Sequence, residues 1–171
     1  LLAAFDASSD MSGFGITVDS SGLDRLREYA DRLSNVQLRD LQEGIGAEVE
    51  SQTKRRIAEE KESPDGAPWA EWSDVHAATR HAGQSLLQGE GDLLDSIQYE
   101  ISGGEIRVGS PLVYAGVMQH GAKRGEFGQS SRGPIPWGDI PSREYLGLSI
   151  ENEDDLLDLV EDYIEHEVTP L

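Results

Sequence analysis

The longest hydrophobic pattern in the chain predicts a helix from about Val36 to Lys61. Its apolar or small side chains recur every three or four residues, the spacing of one helical face, at Leu38, Leu41, Ile45, Val49, Thr53 and Ile57. Gly44 and Gly46 fall inside this helix and lower its local propensity. The other faces are largely polar, so most of the helix should rest on the core, and its length calls for a large body or a neighbouring subunit.

Two more stretches show the same helical spacing. The first covers Asp24 to Leu33, with Leu23, Leu26 and Leu33 on one face. The second runs from Glu151 to Val168, and its inner side carries Leu156, Leu159, Val160, Tyr163 and Ile164. This last helix contains nine acids and no Lys or Arg, so its outer face should be strongly acidic.

Alternating apolar and polar positions predict a small sheet. Gly15 to Asp19 is typical of a short strand, and Ile97–Ile101 and Glu105–Val108 alternate on either side of a Gly-Gly turn, which indicates a β-hairpin. Arg143 to Leu148 is a candidate fourth strand. We therefore predict an α+β fold, in which a small, mostly antiparallel sheet packs against the long helix and the C-terminal helix.

The length of 171 residues fits one domain. We assign residues 15–168 to it and treat residues 1–14, which show no clear pattern, as an N-terminal arm. Met11 is a plausible alternative start. Turns and short helices fill the middle of the chain, with helices expected after Ser73, after Gly91 and across 111–120.

A turn-rich loop at 63–72 carries Trp69 and Trp72. Two large rings directly after a tight turn usually close the base of a small core. An exposed aromatic binding platform is the alternative interpretation.

The stretch 121–142 holds five glycines and three prolines, and it is longer than most loops without secondary structure. We expect this extended loop to be disordered in the isolated subunit and ordered on assembly. Phe127 and Trp137 are its candidate anchors on a neighbour; alternatively, one or both rings pack on their own subunit.

Composition excludes several functional classes. The net charge is −19, from 33 acids and 14 basic residues, which disfavours general nucleic-acid binding. Eleven of the basic residues are Arg and three are Lys; this bias, with the acid excess, fits a host that lives in high salt, or an ordinary acidic protein whose charge keeps it soluble. The absence of Cys removes disulfides and thiol catalysis. No apolar run is long enough to span a membrane, and no secretory signal opens the chain.

Catalytic motifs are absent from the sequence. The four histidines, at 76, 81, 120 and 166, do not show the spacing of paired helical metal ligands. The sequence contains no nucleophile elbow, phosphate loop or complete dinucleotide fingerprint. We therefore predict no catalytic residues, no cofactor and no metal site, although a small metal-dependent hydrolase stays open as a rival.

Three segments resemble the virion morphogenesis (tail completion) family of tailed phages and related archaeal viruses. They are the loop Ser63–Trp69, the run from Leu86-Leu87 through Ser96-Ile97 to Val108-Gly109-Ser110, and the stretch from Tyr114-Ala115 to Ile140–Leu148. Two positions depart from the pattern: Glu144 stands where a second Pro is frequent, and His120 where an aromatic residue is common. Residues 1–14 and the acidic last helix lie outside the resemblance.

The resemblance implies a non-enzymatic structural protein of the virion neck or tail end. Such a protein forms a ring, with six-fold symmetry expected, and contacts neck, connector or tail-tube proteins; neither specific nucleic-acid binding nor a membrane is implied. It would be found in the virion, and in the host cytoplasm during assembly. We expect the subunit interface to include Tyr114, His120, Lys123, Arg124, Phe127, Arg132, Trp137, Ile140, Pro141 and Arg143.

The extended loop is locally basic. Lys123, Arg124 and Arg132 outnumber Glu126 between residues 122 and 133. These cations could meet the acidic last helix of another subunit, pair with acids of their own subunit or face DNA in a ring lumen. A different function also stays open: the acidic last helix could mimic DNA and bind a basic partner.

Overall fold

The computed structural model describes residues 14–17, 35–102 and 104–167. The predicted α+β fold is confirmed: a small antiparallel sheet lies against a long helix, and a C-terminal helix packs against that same long helix. The predicted helix at 24–33 and most of the predicted arm lie outside the described residues.

The sheet has three strands, β1 (Phe14–Thr17), β2 (Gln98–Ser102) and β3 (Glu105–Ser110). Their order is β1-β3-β2, and both pairs are antiparallel. Val108 lies opposite Ile16 on one side and Tyr99 on the other, and it is almost fully buried. The N-terminal strand and the hairpin are therefore both confirmed.

The long helix α1 (Asn35–Arg55) continues through a π-helical turn, Arg56–Glu60, which ends at Lys61 in a left-handed conformation. The predicted stripe faces inward, and burial is greatest at Leu41, Val49, Thr53 and Ile57. Gly46 is needed where the helix crosses the sheet, because a Cβ there would lie 2.5 Å from Cδ2 of Tyr99. The glycine that weakens the helical pattern thus permits close packing.

The C-terminal helix α5 (Ile150–Glu167) packs on α1 through its apolar side, where Val160 is 2% exposed. Its start is fixed by a reciprocal cap. The backbone N–H of Asn152 donates to the Ser149 hydroxyl, and the N–H of Ser149 donates to the Asn152 side-chain oxygen. Most of the acidic residues lie on the exposed face of the helix, as predicted.

Three short helices connect these elements. They are α2 (Asp74–Ala77), capped by Ser73, α3 (Asp92–Ser96) and α4 (Ala115–His120). The helix predicted from Pro111 begins only at Ala115 and ends, as predicted, at Gly121.

The two tryptophans of the turn-rich loop differ in their environment. Trp69 is 5% exposed and belongs to the core, and its indole N–H donates to the carbonyl oxygen of Glu144 at 3.2 Å. Trp72 is half-buried and meets the His76 ring edge-on, with 5.8 Å between the ring centroids. The core interpretation is thus confirmed for Trp69.

The prediction of a fourth strand at Arg143–Leu148 is wrong. This segment belongs to neither sheet of the described residues, although Arg143, Tyr145 and Leu146 are buried. The N–H of Arg143 donates to the carbonyl of Met118, and backbone groups of Tyr145 and Leu146 bond to buried side chains instead of to a neighbouring strand. The backbone N–H and C=O groups of a buried segment need hydrogen-bond partners, and here they find them without joining a sheet.

Candidate assembly surface

The stretch 121–142 folds back on itself as a hairpin, which we call the assembly hairpin. At its base, Ala122 and Ile140 exchange two backbone hydrogen bonds, of 2.9 and 2.8 Å. Further bonds join Phe127 to Ile135 and Gly125 to Pro136, and the tip pairs β4 (Gln129–Ser130) with β5 (Gly133–Pro134). The segment is therefore not a featureless loop, since its own backbone bonds define its shape; ordering on assembly stays a prediction.

The assembly hairpin presents large apolar side chains to solvent. Trp137 is 68% exposed, Phe127 55% and Ile135 42%. The alternative that the two aromatic rings pack on their own subunit is thus not what the structure shows. Exposed apolar side chains of this size on one hairpin are typical of a surface that a partner covers.

The cations of the hairpin divide into two groups. Lys123 Nζ lies 3.6 Å from a carboxylate oxygen of Asp139, and the backbone N–H of Arg124 donates to Asp139 at 2.8 Å. These two contacts, the backbone bond first, lower the pKa of Asp139. No acidic side chain of the described residues pairs with the guanidinium of Arg124 or Arg132. Pairing within the subunit therefore accounts for Lys123 and leaves the two arginines available.

Buried polar side chains hold the hairpin to the body. Gln119, 4% exposed, accepts hydrogen bonds from the N–H groups of Tyr145 and Leu146 and donates to the Leu146 carbonyl. The Tyr145 hydroxyl donates to the carbonyl of Ala115, and burial raises the pKa of this phenol. The segments that precede and follow the hairpin are thus hydrogen-bonded to each other.

Arg56 ties the same region to the two long helices. It is 2% exposed and donates to the carbonyls of Tyr145 and Gly147, at 3.2 and 2.7 Å, and to the side-chain oxygen of Asn152 at 2.5 Å. A carboxylate oxygen of Glu60 lies 3.6 Å from Nε of Arg56. Burial lowers the pKa of Arg56, and the charge of Glu60 acts in the opposite direction.

Arg143 differs from its predicted place at the subunit surface. It is 7% exposed and donates to the carbonyls of Ala70 and Glu71, at 2.9 and 3.2 Å. Burial lowers the pKa of its guanidinium. Arg143 therefore positions the loop that follows Trp69, and its side chain also lines an open groove; its place in a subunit contact stays a prediction.

The other predicted interface residues lie at or near the surface. Eight are exposed, and Ile140 is half-buried at the hairpin base; the exposed ones are Tyr114, His120, Lys123, Arg124, Phe127, Arg132, Trp137 and Pro141. Among residues 14–17, 35–102 and 104–167, no group of three His, Asp or Glu side chains could hold a metal ion. No helix of that same part of the chain is long and apolar enough to cross a membrane.

Comparison with known proteins assigns the family. A sequence model of the phage virion morphogenesis family matches residues 21–165. The chain belongs to this family. A relative, "Putative capsid assembly protein G" of Escherichia phage Mu, is 29% identical over 120 residues, which cover 68% of this chain and 72% of the relative. No solved structure matches.

Family membership gives the protein a role in the assembly of a tailed-phage virion. The match includes the assembly hairpin and both long helices of the described part. The buried hydrogen-bonding residues, the exposed rings and the hairpin base therefore all lie within the region that defines the family.

Proposed function

We propose that the protein is a structural component of the virion neck or tail end and forms a ring there from copies of itself. Six subunits would match the usual symmetry of tails, and the ring would complete the tail or join it to the head connector. Family membership and the Mu relative support a role in assembly. In this role the protein needs no catalytic residues.

The observation that carries the proposal is the exposed aromatic surface of the assembly hairpin. Phe127 and Trp137 project from a segment that is bonded to the body at its base. Burying such rings against a neighbour contributes about 25 cal/mol for each Å² of apolar surface removed from water. In a ring each subunit contacts its two neighbours through two different surfaces. The assembly hairpin would provide one of these two surfaces.

Two measurements test this proposal. The mass of the purified protein in solution, measured over a concentration series, should reveal a closed oligomer. A density map of the intact virion should then place the protein at the neck or tail end and give its copy number. A protein that stays monomeric and is absent from virions would contradict the proposal.

Trp137→Ala should weaken self-association more than it weakens folding. Removing a central aromatic anchor costs about 2 kcal/mol or more of association, a loss of roughly 10- to 100-fold in affinity. Since Trp137 is 68% exposed, the free energy of unfolding should change by less than about 0.5 kcal/mol. Sedimentation and urea unfolding measure the two quantities. Trp69→Ala is the matched control, because loss of this buried ring should lower the free energy of unfolding by about 3–5 kcal/mol. If Trp137→Ala also weakened folding more than self-association, the assignment of Trp137 to the contact would be contradicted.

Reversing the charge of the hairpin cations should make assembly depend on salt. In the variant with Lys123, Arg124 and Arg132 changed to Glu, we expect weaker oligomers at low salt and a smaller difference at high salt. Exposed ion pairs contribute only about 0–1 kcal/mol each and are screened by salt, so these residues should set the register of the contact while apolar burial supplies most of the affinity. Oligomer mass measured across a salt series is the readout, and identical curves for both proteins would remove these cations from the interface.

A further inference from the structure

The body of the subunit contains an open groove of about 500 Å³. It is bounded by α2, by the loop before α3, by α4 and by the second strand of the assembly hairpin at Asp139–Pro141. Its size is within the range of about 300–1,000 Å³ that is typical of binding clefts. The apolar part of its lining includes Trp72, Leu87, Leu93, Tyr114, Met118 and Ile140.

The exposed large apolar side chains of the described residues fall mainly into two groups. Phe127, Ile135 and Trp137 project from the hairpin. Tyr114 lines the groove, and its chain neighbour Val113 is 83% exposed; Val75, on α2 next to the groove residue His76, is 80% exposed. Of the second group, Tyr114 lines the groove itself, and Val75 and Val113 are chain neighbours of lining residues. Large apolar side chains are therefore exposed both on the hairpin and at the groove.

The charges of the two surfaces are also complementary. Four acids, Glu71, Glu90, Asp92 and Asp139, and two arginines, Arg80 and Arg143, line the groove, which leaves an excess of two acids. No basic side chain of the described residues forms a salt bridge with Glu90 or Asp92. Asp92 is close enough to Tyr114 that its charge, after burial, helps to raise the pKa of that phenol. On the hairpin, the guanidinium groups of Arg124 and Arg132 form no salt bridge with an acid of the part of the chain that the structure describes. On α5 the exposed large apolar side chain is Ile150, at its first residue, whereas the groove combines its acids with several apolar side chains.

We propose that this groove receives the aromatic assembly hairpin of a second copy of the chain. The inference rests on the proposed function and identifies the surface through which the ring would close. Phe127, Ile135 and Trp137 would cover the apolar floor, while Arg124 and Arg132 would approach the acidic rim. Every subunit carries one hairpin and one groove. Each copy would therefore insert its hairpin into one neighbour and hold the hairpin of the other, and repetition of this contact closes a ring.

The absence of native cysteine makes cross-linking a direct test. One variant carries Gln129→Cys near the tip of the hairpin, and a second carries Glu90→Cys at the groove. Both positions are exposed. When the two variants are mixed and treated with a short bismaleimide, a product containing one chain of each kind reports contact between copies. The matched control replaces the groove variant with Glu100→Cys, which is exposed on β2 outside the groove.

We expect roughly tenfold or more product from the hairpin-groove pair than from the control pair, because docking raises the local thiol concentration to the millimolar range. The mass of the untreated mixture is measured on the same sample. Oligomers with equal cross-linking in the two mixtures would overturn the groove assignment and leave the ring intact. A cross-linked product from a closed dimer would support the groove and contradict the ring, and a monomer without product would overturn both.

Discussion

Replacing Arg56 with methionine should remove about 3–5 kcal/mol from the free energy of unfolding, a large share of the roughly 5–15 kcal/mol that stabilises a typical domain. The side chain is buried and donates to the carbonyls of Tyr145 and Gly147 and to Asn152. Methionine fills much of the space but leaves the carbonyls of Tyr145 and Gly147 without this donor, while the Asn152 oxygen keeps only the N–H of Ser149. Each buried acceptor that loses its partner costs about 1–3 kcal/mol.

The measurement is the urea midpoint of unfolding, with the slope of the transition checked for constancy. The urea midpoint of Arg56→Lys should fall between those of the unchanged protein and Arg56→Met, because one ammonium group cannot reproduce the spread of guanidinium donors. Arg39→Met is the control, since Arg39 pairs with Glu43 on the exposed face of α1 with 68% of its side chain accessible; its loss should stay below about 1 kcal/mol. Equal losses for Arg56→Met and Arg39→Met would show that the buried network adds little.

The sequence predicts the elements of this fold whose burial is periodic. The stripe from Leu38 to Ile57 is visible because its residues are buried or half-buried along α1 and into the π-helical turn. The same reasoning locates β2 and β3, since their side chains alternate between burial and exposure. Local chemistry also marks Ser73 as a helix cap and Gly121 as a helix end.

The sequence does not predict the network around Arg56 and Gln119. Both are polar residues in helical segments, where a polar side chain ordinarily faces water. Their burial depends on carbonyl and N–H groups of Tyr145–Gly147, which lie far away along the chain. For the same reason Arg143–Leu148 was open to interpretation as a strand: its pattern shows that it is buried, but not which groups satisfy its backbone.

The candidate assembly surface was predicted in part. Composition marks 121–142 as unusual, and Phe127 and Trp137 as its large side chains. The groove could not be predicted in the same way, because its walls come from four separate segments that only the folded chain brings together. The acids of the groove also do not mark a site in the sequence, because the chain contains 33 acidic residues.

Gly121→Ala should abolish assembly and lower the free energy of unfolding by about 2–4 kcal/mol. Gly121 ends α4 with φ 74° and ψ −177°, a conformation that only glycine adopts readily and that costs other residues about 1–3 kcal/mol. The added Cβ would also lie 2.5 Å from the carbonyl oxygen of Ile140 and 2.7 Å from the nitrogen of Ser142. Both are backbone atoms, so relief requires the base of the hairpin to open.

Opening the base would break the two hydrogen bonds between Ala122 and Ile140 and move Trp137 away from its position. Assembly should therefore fail even at temperatures where the variant is still folded, which oligomer mass and thermal unfolding measured on one sample would show. Gly138→Ala is the matched control within the same hairpin, since a Cβ there meets no atom within 4 Å and should change stability by less than about 0.5 kcal/mol. If Gly121→Ala assembled as well as Gly138→Ala, the geometry of the hairpin base would not govern the contact between subunits.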